Sequence, residues 1–466
     1  MTQDVAYRLA EYATSLRFED LPASAIEATK QDIFDCLATG MVGSSALGVK
    51  EMLDLATECA GTEQATTFVY GKKFPAHVAA AINTVMIHGY DYDDTHDVAM
   101  MHCGAIIFSC ALAAAERQGG ITGKDLITAV TAGLDIHCRL GLATTIGIVQ
   151  SGWTYTSLLG GFGAVAAVGR IMGLTKDEMV NAFGIAYAQA AGNYQAITDS
   201  AWTKRIQPGF ASQGALLACQ LAKRGVQGAK NTFEGKYGIY HVYLHDRYNP
   251  EAVTKDLGTY FTHEDLAFKP WPCARPNQPP INACIEAKKR FHLNPDDIKH
   301  VEIRMNEHLY ICSCIPEDVR KHPKTIVDCQ FSIPYNSACA LVNGKVGLAD
   351  FTEEGLRRPD VLALTAKIDG VVDEEIERNF HAKVCPVVVK IELTNGTILE
   401  HRLETTLGCR EKPMTNEDVA EKMRDCINFA ALPMPENTAA VIKALVDHLD
   451  TLENSNQIIA AMLAKG

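Results

Sequence analysis

The sequence lacks the motifs that mark nucleotide-binding and serine-hydrolase sites. It contains no Gly-x-Gly-x-x-Gly after a strand, no Gly-x-x-x-x-Gly-Lys-Ser/Thr, no His-Glu-x-x-His and no Gly-x-Ser-x-Gly. Each of these patterns supplies a group that its chemistry requires, such as a phosphate-binding loop or an exposed nucleophile. Nucleotide cofactors and serine hydrolysis therefore find no support in the sequence.

Positive charge is also scarce. The 466 residues include 56 acidic and 43 basic side chains, which gives a net charge of −13, and no run of Lys and Arg stands out. A protein that binds nucleic acid or an anionic membrane surface concentrates such charges. We therefore expect neither partner, and an anionic ligand must be met by individual Lys or Arg side chains.

Long apolar segments are absent as well. The most apolar stretches are shorter than the ~20 residues of a membrane span, or are interrupted by Gly and Arg170. The start of the chain has no basic region followed by an apolar one. Fifteen cysteines without a regular framework indicate reduced thiols, and Cys312 and Cys314 lack a second pair at zinc-finger spacing. These features predict a cytoplasmic protein without a metal site.

Helical periodicity dominates the first half of the chain. Apolar residues recur at three- and four-residue spacing in segments such as Gly104–Arg117 and Gly209–Arg224. Thr175 is followed three residues later by Glu178, which is the spacing of a helix capping box. The same helical pattern returns in the last sixty residues, so both chain ends are expected to contribute to one helical domain.

The pattern changes in the middle of the chain. Val387–Leu393 and Thr397–Leu403 have the composition of strands, and Asn395-Gly396 between them is a type I′ hairpin signal. We therefore predict a mainly α fold with a smaller α+β domain. The large all-helical domain is formed by residues 1–265 and 406–466, and the inserted α+β lid domain by residues 266–405.

Three histidines and four aspartates lie within fifteen residues, between two apolar runs. They are His88, Asp91, Asp93, Asp94, His96, Asp97 and His102. Ionisable groups in such a place are costly to bury unless they are paired or used. In a structural interpretation, the aspartates cap the neighbouring helices and His88 is a core histidine. In a catalytic one, Asp91 orients His102, an imidazole that transfers protons near neutral pH.

Two further segments concentrate cations. Lys204 and Arg205 precede an alanine-rich helix, where adjacent cations and the helix dipole could hold a carboxylate; a solvated surface turn is the alternative. Lys269 and Cys273 lie in a proline-rich stretch that fixes side-chain directions, and a rigid interdomain linker is the alternative there. With the ionisable segment, these residues indicate acid–base chemistry on an anion.

Six segments, in this order along nearly the whole chain, resemble the MmgE/PrpD family. They are His88-x-x-Asp91-Tyr-Asp-Asp-Thr ending at His102, Gly173-Leu-Thr with Ala186-Tyr-Ala, Lys204-Arg-x-Gln-x-Gly, Lys269-Pro-Trp-Pro-Cys273, Cys329-Gln-Phe-Ser-Ile-Pro-Tyr335 and Lys412-Pro-Met414. The resemblance implies a homodimer, an active site in a cleft between the two domains, and no organic cofactor.

The resemblance also implies proton transfer next to a carboxylate of a small di- or tricarboxylic acid. It predicts as catalytic residues Asp91, His102, Lys204, Lys269 and Tyr310. The predicted substrate-binding residues are Arg205, Thr154, Gln278, His88 and Cys273.

Two positions depart from the family pattern. Thr154 and Gln278 stand where family members often have histidine, and the loss of two imidazoles removes candidate proton donors. Three hypotheses follow. The first is a cofactor-independent lyase of the dehydratase or decarboxylase type. The second is an epimerase or racemase of a dicarboxylate such as an iminodisuccinate-like compound, and the third is a non-catalytic polycarboxylate binder.

Overall fold

The computed structural model describes residues 3–381 and 384–465. Helix accounts for 57% of it and the strands form small sheets, so the predicted mainly α fold with a smaller α+β part is confirmed. The chain forms two compact units, one containing Met1–Leu266 and Ala420–Gly466 and the other Ala267–Val419. Within the described ranges, no helix is both long and apolar enough to cross a membrane.

Helices make up most of the chain before residue 266. They are α1 (Ala6–Ser15), α2 (Ala23–Gly43), α3 (Val49–Cys59), α4 (Ala76–His88), α5 (Gly104–Arg117), α6 (Gly123–Leu142), α7 (Ile148–Ser151), α8 (Tyr155–Ile171), α9 (Lys176–Tyr187), α10 (Gln195–Thr198), α11 (Thr203–Ala222), α12 (Ile239–Val242) and α13 (Pro250–Thr254). Short strands accompany them: β1 (Ala65–Thr66), β2 (Lys73–Phe74) and β3 (Thr95–His96). The predicted capping box of Thr175 and Glu178 is present at the start of α9.

The core of this unit is a set of closely packed helices with small residues at their crossings. Helix α8 contacts α5, α6 and α11, and α4 contacts α5 and α11. A Cβ atom on Gly133 of α6 would lie 2.8 Å from the Gly163 carbonyl oxygen of α8, and one on Gly163 would lie 2.6 Å from that of Gly133. Only glycine allows this approach, which sets α8 against α6 and leaves its N-terminal end beside the α4–α5 loop.

The second unit combines helices with one mixed sheet. The chain passes from the first range to the second within β4 (Leu266–Ala267). The elements that follow are α14 (Gln278–Phe291), β5 (Ile298–Met305), α15 (Glu307–Ser313), α16 (Glu317–Lys321), α17 (Ile326–Gln330), α18 (Ile333–Asn343), α19 (Pro359–Thr365), β6 (Ile368–Val372), α20 (Glu374–Phe380), β7 (Val387–Leu393) and β8 (Ile398–Leu403). The order in the sheet is β6-β5-β7-β8, with β5 and β6 parallel and the other pairs antiparallel. Helices α14 and α18 contact this sheet and each other.

The hairpin between β7 and β8 has a different turn from the one predicted. Gly396 N donates to the Leu393 carbonyl oxygen, Leu393 N donates to that of Thr397, and Gly396 has a φ of +86°. Asn395 does not share this positive φ, so the type I′ prediction is wrong. Because the loop has three residues, only the last one needs the left-handed conformation. The chain ends with α21 (Asn416–Asn428), α22 (Thr438–Asp447) and α23 (Asn456–Ala461).

Candidate active site

The loop between α4 and α5 turns its carboxylates into the protein. Asp91, Asp93 and Asp94 have relative exposures of 3%, 0% and 0%. Asp91 adopts a φ of +55°, a left-handed conformation that costs energy for a non-glycine residue and persists only where the surroundings enforce it. Buried carboxylates require charge partners or hydrogen-bond donors, and the loop receives them from three different helices.

Five side chains close a ring of ion pairs and hydrogen bonds. Asp93 Oδ2 lies 2.8 Å from His88 Nδ1, and Asp93 Oδ1 lies 3.2 Å from His102 Nδ1. His88 Nε2 lies 3.0 Å from Lys204 Nζ, and the same ammonium pairs with Asp91 Oδ2. His102 Nε2 faces Asp91 Oδ1 at 3.6 Å and completes the circuit. We call Asp91, His102, Asp93, His88 and Lys204 the ionisable ring.

The ring brings together four of the predicted site residues, Asp91, His102, Lys204 and His88. Asp93 is the fifth member, and no site role was predicted for it. Its neighbours in the sequence are also acidic, so the pattern alone does not tell which aspartate faces the histidines. The positive φ of Asp91 changes the course of the backbone, so the side chains of Asp91, Asp93 and Asp94 point to different partners.

The proton on His88 is fixed by its two neighbours. An ammonium group can only donate, so Nε2 of His88 accepts from Lys204 and Nδ1 carries the hydrogen that is donated to Asp93. Burial lowers the pKa of His88 to about 4, assisted by the positive charge of Lys204 and opposed by Asp93. His88 is therefore a neutral imidazole at pH 7 and connects a carboxylate with an ammonium.

Asp93 is the charged centre of the buried side of the ring. Burial disfavours its ionised form, but His102 and His88 together hold the pKa of Asp93 well below its ordinary value. Each carboxylate oxygen faces the Nδ1 atom of a different imidazole. Asp93 is thus an anion that is shared by two histidines.

Asp94 points to helix α5 and not to the ring. Its Oδ2 accepts from Cys103 N and its Oδ1 from Gly104 N, each at 2.9 Å. Burial, followed by the neighbouring charge of Asp93, raises the pKa of Asp94 to about 7. The structural interpretation therefore applies to Asp94, which caps the first turn of α5.

Lys204 and Arg205 lie in the first turn of α11 and have different partners. The helix begins at Thr203 and not, as predicted, at Gly209, so the two cations belong to the helix. The Lys204 side chain is 10% exposed and reaches the ring. Arg205 is buried, and its Nε donates to the carbonyl oxygen of Gly89 at the start of the loop. Arg205 thus holds the loop backbone, while Lys204 supplies the cation of the ring.

The start of α8 meets the ring through Thr156. His102 N donates to Thr156 Oγ1 at 2.9 Å, which positions the backbone of the histidine. Thr154, two residues earlier, is the N-cap residue of α8, and its N donates to the Gly192 carbonyl oxygen. In the described part of the chain, the buried Oγ1 of Thr154 has no hydrogen-bond partner. A threonine in a first helical turn is common, so no sequence signal predicts the contact that Thr156 makes.

Lys422 of α21 holds the loop from the C-terminal end of the chain. Its Nζ donates to Asp35 Oδ1 at 2.5 Å and to the Tyr92 carbonyl oxygen at 2.9 Å, and it lies 4.2 Å from the centroid of the Tyr92 ring. Tyr92 separates the two ring carboxylates Asp91 and Asp93. No sequence signal marks Lys422, because a single lysine in an amphipathic helix usually lies on its solvated face.

The remaining predicted residues belong to the second unit. Lys269, Cys273 and Gln278 are fully buried, and Tyr310 is half-buried. Gln278 Nε2 donates to the carbonyl oxygens of Trp271 and Cys273 at 3.0 and 3.2 Å, so its amide nitrogen holds the proline-rich turn. Its Oε1 has no hydrogen-bond partner among residues 3–381 and 384–465.

Three members of the ring have the spacing of metal ligands. One ligand atom each from His88, Asp93 and His102 lies within 4.8 Å of the other two, and imidazole with carboxylate is a common donor set for Zn²⁺. Each imidazole Nδ1, however, faces its own oxygen of Asp93, and the ammonium of Lys204 lies 3.0 Å from His88 Nε2. Protons and an ammonium therefore serve the same donor atoms that a metal ion would use.

Comparison with known proteins gives matches over nearly the whole chain. The family model of the MmgE/PrpD N-terminal domain matches residues 7–251, and that of the MmgE/PrpD C-terminal domain matches residues 271–450. Cis-aconitate decarboxylase of Aspergillus terreus (strain NIH 2624 / FGSC A1156) is 28% identical, covering 98% of this chain and 95% of that protein. Human cis-aconitate decarboxylase is 25% identical, covering 100% and 95%. For 2-methylcitrate dehydratase of Escherichia coli (strain K12), the identity is 24% and both coverages are 69%.

Proposed function

Because the chain belongs to the MmgE/PrpD family, we propose that it removes carbon dioxide or water from a small di- or tricarboxylic acid by moving a proton next to a carboxylate. The similar proteins named above are a decarboxylase and a dehydratase, both lyases, so the predicted enzyme class is confirmed at that level. The choice of acid and the exact bond broken belong to the proposal.

One observation carries the proposal: the two most exposed members of the ionisable ring are a proton-transfer group and a cation. The side chain of His102 is 15% exposed and that of Lys204 10%, whereas those of His88, Asp91 and Asp93 are exposed by 5% or less. A ligand that reaches the ring therefore meets an imidazole and an ammonium. These are the groups needed to exchange a proton and to bind a carboxylate.

Lys204 is the proposed carboxylate-binding residue of the first unit. The chain carries a net charge of −13, so an anionic substrate depends on local positive charge. Lys204 pairs with Asp91 in the ring, and a substrate carboxylate would compete with Asp91 for the same ammonium. When Lys204 binds the substrate carboxylate, Asp91 would interact less with Lys204 and more with His102. His102 Nε2 already lies 3.6 Å from Asp91 Oδ1.

His102 would transfer the proton in either reaction. In a decarboxylation, a carbon–carbon bond breaks, carbon dioxide leaves, and the electron pair left on carbon takes a proton from His102. In a dehydration, His102 accepts a proton from the carbon next to the carboxylate, a double bond forms, and the hydroxyl on the adjacent carbon takes a proton and leaves as water. The cation of Lys204 would stabilise the negative charge that develops on the carboxylate in both cases.

The family resemblance adds residues and properties to the proposal. Lys269 would bind a second carboxylate, and Tyr310 would protonate the other face of the substrate or the leaving group. We also propose, on the resemblance alone, that the enzyme is a cytoplasmic homodimer that needs no organic cofactor.

An epimerase or racemase of a dicarboxylate is the second candidate. It is favoured by Thr154 and Gln278, which stand where the family often has histidines. The amide nitrogen of Gln278 is held by backbone carbonyl oxygens, and an amide does not protonate a leaving group. An enzyme with fewer proton donors is suited to removing and returning a proton without expelling water or carbon dioxide.

The test is turnover of a panel of di- and tricarboxylic acids in heavy water, followed by NMR spectroscopy. For a lyase, we expect one acid to yield carbon dioxide or water, and His102→Gln to reduce the reaction to a small residual rate. His448→Gln is the matched control, since His448 is an exposed residue of the same unit. Deuterium exchange with inversion but without loss of carbon dioxide or water would favour the epimerase instead. If no acid reacts or exchanges deuterium, the proposed function is wrong.

A further inference from the structure

We propose that Asp93 is a positioning residue that sets the proton positions on both histidines of the ionisable ring and thereby leaves His102 Nε2 as the atom that exchanges protons. This inference rests on the proposed function for its kinetic consequences. Its structural content, the tautomers of His88 and His102, stands independently of any substrate.

The first step is the position of Asp93 between the two rings. Its side chain is fully buried, with Oδ2 at 2.8 Å from His88 Nδ1 and Oδ1 at 3.2 Å from His102 Nδ1. The two imidazoles meet edge to face, with centroids 4.6 Å apart and an interplanar angle of 74°. One carboxylate thus has an oxygen for each imidazole, and an ionised carboxylate only accepts hydrogen bonds.

The second step is the consequence for the opposite nitrogens. His88 Nδ1 hydrogen-bonds to Asp93, and the second oxygen of Asp93 faces His102 Nδ1 as an ion-pair contact at 3.2 Å. Since a carboxylate oxygen favours a hydrogen on the nitrogen that faces it, each neutral imidazole carries its hydrogen on Nδ1 and has its lone pair on Nε2. For His88 this lone pair faces the ammonium of Lys204 at 3.0 Å, which only the Nδ1–H tautomer permits. For His102 the lone pair faces Asp91 at 3.6 Å, on the partly exposed side of the ring. That nitrogen can accept a proton from a substrate and return it.

The third step is that Asp93 keeps its charge in a buried place. The two imidazoles hold the pKa of Asp93 well below its ordinary value although burial opposes ionisation. Asp94, the next residue, uses both of its oxygens on the backbone of α5 and does not serve the histidines. Adjacent aspartates of identical chemistry therefore have separate tasks.

Asp93→Asn is the discriminating substitution. An amide of the same size offers one acceptor oxygen and one donor nitrogen in place of two acceptors. Lys204 still requires the Nδ1–H form of His88, so the amide oxygen stays with His88 and the amide nitrogen faces His102. His102 then carries its hydrogen on Nε2 and has no lone pair there to accept a proton in a dehydration. The amide nitrogen also opposes a hydrogen on Nδ1, and therefore the doubly protonated imidazolium that would donate a proton in a decarboxylation. Asp97→Asn is the matched control, because Asp97 lies in the same loop on its half-exposed side.

For Asp93→Asn, we expect kcat to fall by about 10² to 10⁴-fold with little change in KM, since groups that orient a catalytic imidazole have effects in this range. Asp97→Asn should keep the wild-type values. In the His102→Gln background, Asp93→Asn should cause little further loss, because its effect passes through His102. A purely structural role would instead lower the thermal midpoint and give additive losses.

The tautomers are measured by ¹⁵N NMR of histidine-labelled protein, with His88 and His102 assigned through His88→Gln and His102→Gln. In the wild type above pH 7, we expect hydrogen on Nδ1 of both rings, and Asp93→Asn should move it to Nε2 of His102 alone. Wild-type His102 with its hydrogen on Nε2 would overturn the inference even if Asp93→Asn does not fold. If the wild type turns over a substrate and Asp93→Asn has the same kcat, the inference about Asp93 is wrong while the proposed function stands. Absence of wild-type turnover would instead contradict the proposed function.

Discussion

The ammonium of Lys422 lies 2.9 Å from the carbonyl oxygen of Tyr92, although 330 positions separate the two residues in the sequence. Tyr92 stands between Asp91 and Asp93, so this contact holds the backbone from which both carboxylates of the ionisable ring extend. Helix α21, near the C-terminal end of the chain, therefore contributes to the geometry of the site without contributing a side chain to the ring.

Lys422→Met is expected to lower the free energy of unfolding by about 3 kcal/mol or more, since removal of one partner leaves a buried charge uncompensated. The group that loses the ammonium is the buried Asp35, whose Oδ1 lies 2.5 Å from Lys422 Nζ. The control is Lys443→Met, which removes a lysine from an exposed pair with Asp447 and should cost at most about 0.5 kcal/mol. Urea unfolding monitored by circular dichroism measures both variants. Equal effects would show that Lys422 does not hold the loop.

Lys204→Met is expected to reduce kcat/KM by about 30-fold or more, since the loss of a charged partner in a binding site costs about 2 kcal/mol or more. KM should rise because the substrate carboxylate loses its ammonium, and kcat should fall because Lys204 also holds His88 and Asp91. Lys223→Met, at the opposite end of the same helix, removes an exposed lysine and serves as the control in steady-state kinetics. An unchanged KM would contradict the binding role of Lys204.

The protonation of Asp94 is expected to make stability depend on pH. Its pKa is raised to about 7, above the value of about 3.9 in an unfolded chain, so the folded state holds a proton that the unfolded state has lost. The contribution of Asp94 is therefore present below pH 4 and is lost as the pH rises through 7, with a limiting slope of about 1.4 kcal/mol per pH unit.

Asp94→Asn removes this contribution and retains a capping side chain. The difference in unfolding free energy between wild type and variant should therefore fall as the pH rises from 4 to 8. The variant must be compared with the wild type at each pH, because His88 changes stability in the opposite direction. The pKa of His88 is lowered to about 4, so its contribution to the unfolding free energy rises with pH between 4 and 6.5. A difference that does not vary with pH would contradict the raised pKa of Asp94.

Treatment with a chelator is expected to leave the activity unchanged. The nitrogen and oxygen atoms of His88, Asp93 and His102 that could bind a metal ion already face one another, and Lys204 adds a positive charge beside them. Enzyme dialysed against EDTA should retain its kcat, and added Zn²⁺ should inhibit by replacing protons on the imidazoles. Loss of activity with EDTA that returns on addition of a divalent metal would establish a metal site in the ring.

The sequence by itself determined the local structure and the family. The helical periodicity, the capping box of Thr175 and the position of the β7–β8 hairpin each depend on residues within a few positions of one another, and the structure contains all three. The segment from His88 to His102 was also recognisable, because clustered ionisable residues between apolar runs are rare whatever their arrangement. The local sequence did not determine the type of hairpin turn, since Asn395-Gly396 fits loops of two or three residues.

Only the tertiary structure decided which of these ionisable residues act together. Asp93 and Asp94 are chemically identical neighbours, and their separate tasks depend on where α4 and α5 place His88 and Cys103. The roles of Arg205 and Lys422 likewise depend on backbone carbonyl oxygens far away in the sequence. Burial, charge pairing and tautomers are properties of the surroundings of a side chain. Those surroundings are assembled from distant segments, and no pattern within one segment contains them.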